Sequence, residues 1–105
     1  MQLTVTGRHV DLTDALRNRV NTRIKRINRH FKQVTNAHVT LTVEKQQHKA
    51  EVNCHISGKD FFADAKSEDM YSAIDDLMHK LDRQIRRHKE RLASHNRSNN
   101  KPWLR

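Results

Sequence analysis

The sequence predicts a two-layer α/β sandwich: a four-stranded mixed sheet with two helices packed on one face. Three observations predict it. Four short segments alternate apolar and polar residues with a period of two, two longer ones repeat apolar residues at three- and four-residue steps, and their order is βαβββα. With 105 residues, 34% of them apolar, two Gly and one Pro, the chain suits one domain with one modest core.

Leu3 and Val5 alternate with Gln2, Thr4 and Thr6 as a short first strand ending at Gly7. The first helix is predicted over Thr13 to Phe31, with Asp11 and Thr13 as cap candidates. Its Leu16, Val20, Ile24, Ile27 and Phe31 fall in a stripe roughly 80° wide, which marks one buried face. Ala37 to Val43 and Ala50 to Ile56 then alternate as two half-buried strands, joined by the polar connection Lys45-Gln46-Gln47-His48. Ser57-Gly58-Lys59-Asp60 is a turn signal, and Phe61, Ala63 and Ala65 mark a fourth strand whose small residues let a helix lie close.

Ser67 is the predicted N-cap of a second helix of about 25 residues. Met70, Ile74, Leu77, Met78, Leu81, Ile85, His88 and Leu92 share its apolar stripe. Periodicity stops there, so the expected domain covers residues 1–95 and a flexible basic tail covers residues 96–105. A helix between the first two strands implies a right-handed crossover and a parallel pair; the short turns imply an antiparallel meander for the rest.

Charge separates along the chain. From Arg8 to Lys32 eight Lys/Arg oppose Asp11 and Asp14, giving +6; from Ser67 to Met78 there are four acids and no base, giving −4; from His79 to Arg105 nine Lys/Arg oppose Asp82 and Glu90, giving +7. Acids at a helix start and bases at its end suit the backbone dipole, but the surplus exceeds what a dipole asks for. A net charge of +9 and pI near 10.3 instead fit a polyanion-binding surface, where each phosphate neutralised releases counterions. On the first helix Arg19, Lys25, Arg26 and Arg29 lie opposite the apolar stripe with Arg23 on its flank. On the second, Lys80, Arg83, Arg87 and Arg91 form a single row. Such cations contact phosphates and carry little sequence information, so recognition by shape is expected.

The outer sheet face is mostly Thr, His, Asn, Glu and Lys, which favours structured RNA over a single strand splayed on aromatics. Tyr71, Phe62 and Trp103 are the stacking candidates; for Phe62 and Trp103 an incidental surface position stays open. Other function classes find no support. No run reaches the roughly 20 apolar residues of a membrane span, and the N-terminus lacks the apolar stretch of a signal peptide, so an intracellular, cytoplasmic protein is expected. Cys54 sits in an alternating apolar series and reads as a small buried hydrophobe in a reducing compartment. The eight histidines show no ligand spacing, and neither a phosphate loop nor a nucleophile motif is present; no metal, cofactor, small-molecule substrate or catalytic residue is expected.

Several stretches resemble the short-form bacterial ribosome hibernation promoting factors: Met1-Gln2-Leu3 through Gly7, Thr13-Asp14-Ala15-Leu16-Arg17, Val43-Glu44-Lys45, and Glu68-Asp69-Met70-Tyr71-Ser72-Ala73-Ile74-Asp75 followed by Lys80-Leu81-Asp82-Arg83-Gln84 and His88-Lys89. The resemblance spans about residues 1–95, and the Asp-Met-Tyr-x-Ala-Ile-Asp box is its most specific part. It implies a βαβββα fold similar in outline to a double-stranded-RNA-binding domain. It also implies a monomer that lodges in the small ribosomal subunit, in the channel of mRNA and the A- and P-site tRNAs, stops translation and favours pairing of 70S ribosomes into an inactive dimer. Arg23, Arg26, Lys80, Arg83, Arg87, Lys89 and Arg91 match basic positions of the family and would grip rRNA phosphates; Tyr71 matches the box at the edge of the core. The tail through Arg105 departs from the short form and is basic, whereas the related inhibitor that opposes dimerisation carries an acidic extension. That inhibitor type and a general structured-RNA binder are the alternative readings.

Overall fold

A computed structural model describes residues 2–31, 34–56 and 58–99, and side-chain surroundings for these except His30 and residues 92–99. The elements are β1 (Gln2–Arg8), α1 (Asp14–Phe31), β2 (Val34–Glu44), β3 (Gln47–Ile56), β4 (Lys59–Ser67) and α2 (Met70–Asn99). They form the mixed sheet that the sequence predicts, in the order β1-β2-β3-β4, with β1 parallel to β2 and the other neighbours antiparallel. Leu3 pairs with Ala37 and Val5 with Val39, so the apolar phases of β1 and β2 fall in register.

The strands reach further than their apolar alternation. Gln47 and His48 belong to β3 and pair with Glu44 and Val43, which leaves only Lys45 and Gln46 as the turn. Lys45 there takes φ 56°, the left-handed region that a two-residue hairpin of this hand requires. Lys59 and Asp60 likewise join β4, opposite Ile56 and His55. Polar residues at strand ends pair through their backbones as well as apolar ones do, so hydropathy understates strand length. Gly7 is required by close packing, because a Cβ at that position would stand 2.8 Å from the Val10 carbonyl oxygen and 3.0 Å from the Leu12 side chain. Only glycine lets the β1–α1 connection double back that closely.

α1 starts as predicted, with the Leu16 amide donating to Thr13 Oγ1 at 3.2 Å. The start of α2 differs from expectation. Ser67 still belongs to β4, and Asp69 is the cap, accepting from the Ser72 amide at 3.0 Å on Oδ2. Ser67 Oγ accepts from the Asp69 amide, at 3.4 Å, and shapes the bend before the helix. The end differs as well: α2 is a 30-residue helix, Met70–Asn99, longer than the 25 or so residues expected. Helical backbone continues there without an apolar stripe to announce it. Residues 100–105, including Trp103, lie outside the described residues.

One core forms between the layers. Leu16, Val20, Ile24, Ile27 and Phe31 of α1 and Met70, Ile74, Leu77, Met78, Leu81 and Ile85 of α2 are buried against the inward residues of the sheet. α2 lies across β3 and β4, where Ala63 and Ala65 give it room, and α1 lies over β2 beside α2. At about 1.5–3 kcal/mol for each large side chain removed from water, this core is the main source of stability.

Candidate nucleic-acid interface

The buried stripe of α2 fixes where its cations point. Ile74, Leu77, Leu81 and Ile85 face the sheet, so Lys80, Arg83, Arg87 and Arg91 are exposed along the far side. Lys80 is steadied at the edge of the sheet, its Nζ donating to the Asp64 carbonyl oxygen at 3.0 Å. Lys89 is exposed too, but it does not join that row: its ammonium lies over the ring of Phe31 at 4.9 Å, on the side of α2 that faces α1. Arg86, which the sequence did not single out, sits on that side as well, 5.8 Å from the Phe31 ring and bonded through Nε to Asp82 Oδ2 at 2.8 Å.

The α1 cations divide. Arg26 and the flanking Lys25 and Arg29 are exposed. Arg23 is half-buried and its Nε donates to Asp75 Oδ1 at 2.9 Å, while Arg19 Nη1 donates to Asp75 Oδ2 at 3.1 Å. The Arg19 guanidinium also rests on the Tyr71 ring at 5.1 Å, so the tyrosine of the signature box packs against α1. Burial alone would raise the Asp75 carboxyl; the hydrogen bond and charge of Arg23, with Arg19, outweigh it and hold the group below its ordinary value. Of the seven predicted contacts, Arg23 alone is tied into the molecule in this way. The sequence placed Arg23 on the flank of the α1 stripe but Arg19 opposite it; the structure instead turns Arg19 toward α2, half-buried beside Arg23, because which acid of α2 they meet depends on how the helices pack.

The seam between the helices is therefore partly charge-compensated, with Asp75 and Asp82 set against Arg19, Arg23 and Arg86. A groove of about 290 Å³ runs along it, lined by Arg23, Arg26, Met78, His79, Asp82 and Arg86 together with Asp75. On either side stand the uncompensated cations: Lys25, Arg26 and Arg29 on one flank, Lys80, Arg83, Arg87 and Arg91 on the other. Both belong to the same layer of the molecule, and together they offer two ridges to a polyanion.

Among the described residues no group of three His, Cys, Asp or Glu could hold a metal ion, and no helix is long and apolar enough to cross a membrane. Cys54 is buried, and burial pushes its thiol up to about 11, which makes it a packing residue and not a nucleophile.

A family described as sigma 54 modulation protein / S30EA ribosomal protein matches residues 3–93. The chain belongs to that family. Among its relatives, the ribosome hibernation promoting factor of Azotobacter vinelandii is 48% identical over 87% of this chain and 85% of its own length. Those of Salmonella typhimurium strain LT2 and Escherichia coli K12 are 41% and 39% identical, each over 90% of this chain and the whole of the relative. A solved ribosomal subunit interface protein from Coxiella burnetii superimposes with a TM-score of 0.81 at 32% identity, covering 86% of this chain and 99% of that one. The N-terminal domain of Thermus thermophilus Protein Y gives 0.77 at 27% identity, covering 84% and 99%. The resemblance read from the signature box is thus confirmed, as is the fold, and the family is one of ribosome hibernation factors, which are not enzymes.

Proposed function

We propose that this protein is a cytoplasmic ribosome hibernation factor that binds the small ribosomal subunit in the channel of mRNA and tRNA, blocks translation and favours pairing of 70S ribosomes into inactive particles. The observation that carries this reading is the pair of uncompensated basic ridges on one layer of a fold whose relatives are named for ribosome hibernation. Rigid helices hold cations at fixed spacings, which suits a folded RNA whose phosphates are equally fixed. Arg26 from α1 and Lys80, Arg83, Arg87 and Arg91 from α2 contact rRNA phosphates; Lys89 reaches from the side facing α1, and Arg23 contributes its charge from the seam. Occupying the channel excludes mRNA and tRNA sterically, so silencing needs no covalent step and no cofactor.

A sucrose gradient tests the reading. Purified 70S ribosomes mixed with the protein should shift into a faster dimer peak and lose activity in a translation assay. A 70S peak alone, with translation blocked, would overturn the pairing claim and leave an inhibitor-type factor; equal affinity for ribosomes and generic duplex RNA would overturn the ribosomal reading altogether.

A further inference from the structure

Where the start of β4 meets the second half of α2, Lys59, Phe61, Phe62, Gln84, Arg87, His88 and Arg91 line a recess of about 190 Å³. We propose that this recess binds one unpaired nucleotide of RNA, with the base on Phe62 and the adjoining phosphate on Arg87 and Arg91. The inference rests on the RNA-binding reading above and adds to it a ligand class and a place.

Phe62 is the starting point. At 52% exposure it is the one large hydrophobic residue left exposed among the described residues, and it stands opposite Asn53 on the outward phase of the edge strand. An exposed aromatic ring at the rim of a recess that two arginines also line has the composition of a nucleotide platform: any base stacks on the ring, and a guanidinium fork matches a phosphate.

The floor of the recess is already built. His88 meets Phe61 edge-on, with ring centres 5.5 Å apart and planes at 72°. Lys59 Nζ stands 3.4 Å from His88 Nδ1 and 5.4 Å from the centre of the Phe61 ring. These contacts hold a third cation beside Arg87 and Arg91 without a ligand to order it.

Polar groups are arranged with the opposite sign at the base end. Asp60, bonded to His55 Nδ1 at 2.7 Å, also lines the recess, and a carboxylate there repels a phosphate but accepts from a base amino group. The Gln84 amide offers both a donor and an acceptor. The strand edge adds more. The Asp64 carbonyl accepts from Lys80, so this phase of β4 turns its backbone groups outward, and Phe62 shares the phase.

Size and continuity select a nucleotide within a polymer. Pockets for whole small molecules run from about 300 to 1,000 Å³, above this recess, whereas a single base needs less. Lys80 and Arg83 continue the arginine row along α2, so phosphates on the same strand as the bound nucleotide find partners that a free nucleotide would leave unused.

Two RNA hairpins test the inference, one fully paired and one carrying a single bulged adenosine, each titrated with the full-length protein at fixed salt by fluorescence anisotropy. The wild type should bind the bulged hairpin about tenfold more tightly, the scale of one base stacked on an aromatic ring. Phe62→Ala should erase that preference while leaving affinity for the paired hairpin unchanged, and Phe62→Trp should retain it. Equal binding of both hairpins by the wild type, or a preference that survives Phe62→Ala, overturns this inference alone. Failure to bind either hairpin or ribosomes overturns the RNA reading beneath it. Displacement of the bulged hairpin by micromolar adenosine monophosphate would assign the recess to a free nucleotide and overturn the proposed RNA source.

Discussion

Arg23 donates from Nε to Asp75 Oδ1 at 2.9 Å, a bond that spans 52 positions of sequence and pins α1 to α2. Arg19 holds the second oxygen of the same carboxylate. One acid thus removes two arginines from the exposed basic surface and fixes the distance between the ridges on either side.

This clamp gives stability a pH signature. The folded-state carboxyl of Asp75 titrates below its unfolded value, so its contribution is present above about pH 4 and is lost as pH falls through the folded value. The pair is partly exposed, so Asp75→Asn should cost only about 0.5–1 kcal/mol at neutral pH, a fall of roughly 2–8 °C in melting temperature. Melting curves from pH 7 to pH 2 should show the gap between variant and wild type closing in acid; a gap that stays constant would contradict the assignment.

The outward row of α2 should set both the affinity for ribosomes and its dependence on salt. Lys80→Glu, Arg83→Glu and Arg87→Glu combined should weaken ribosome binding by orders of magnitude and lower the slope of log affinity against log salt by roughly three, about one for each lost phosphate contact. Far-ultraviolet circular dichroism should stay native because all three side chains are exposed. Unchanged affinity would remove this row from the interface.

Asp69 and Ser67 separate the cap from its neighbour. Asp69→Ala removes the acceptor of the Ser72 amide and should cost about 1 kcal/mol, whereas Ser67→Ala should cost a few tenths. Urea titrations read both, and a larger loss at Ser67 would restore the helix start that the sequence suggested.

Cys54 supplies a probe of opening. Buried and with its thiol pushed up to about 11, it should react with a disulfide reagent at pH 8 far more slowly than a free thiol, and at the ordinary rate in denaturant. Fast reaction in the native state would show that β3 opens readily.

The layers were legible because burial writes periodicity into the chain: nearly every buried residue of the two helix stripes and of the inward strand phases could be named in advance. The ends of elements were less visible. Asp69 caps α2 where the sequence suggested Ser67, since both residue types are good caps and the choice depends on where β4 stops pairing. The site was legible to the extent that it follows helix phase, which placed Lys80, Arg83, Arg87 and Arg91 in one row. It was illegible where two elements meet. Arg23 and Asp75, Lys89 and Phe31, and Lys59 and His88 are pairings set by tertiary packing, and none leaves a spacing in the chain.

Cosedimentation with isolated ribosomal subunits tests the central claim most directly. The protein should travel with the small subunit and not the large one, and mRNA with P-site tRNA added beforehand should keep it off. Protein that stays at the top of the gradient, follows the large subunit, or binds a small subunit already filled with mRNA and tRNA would contradict the account.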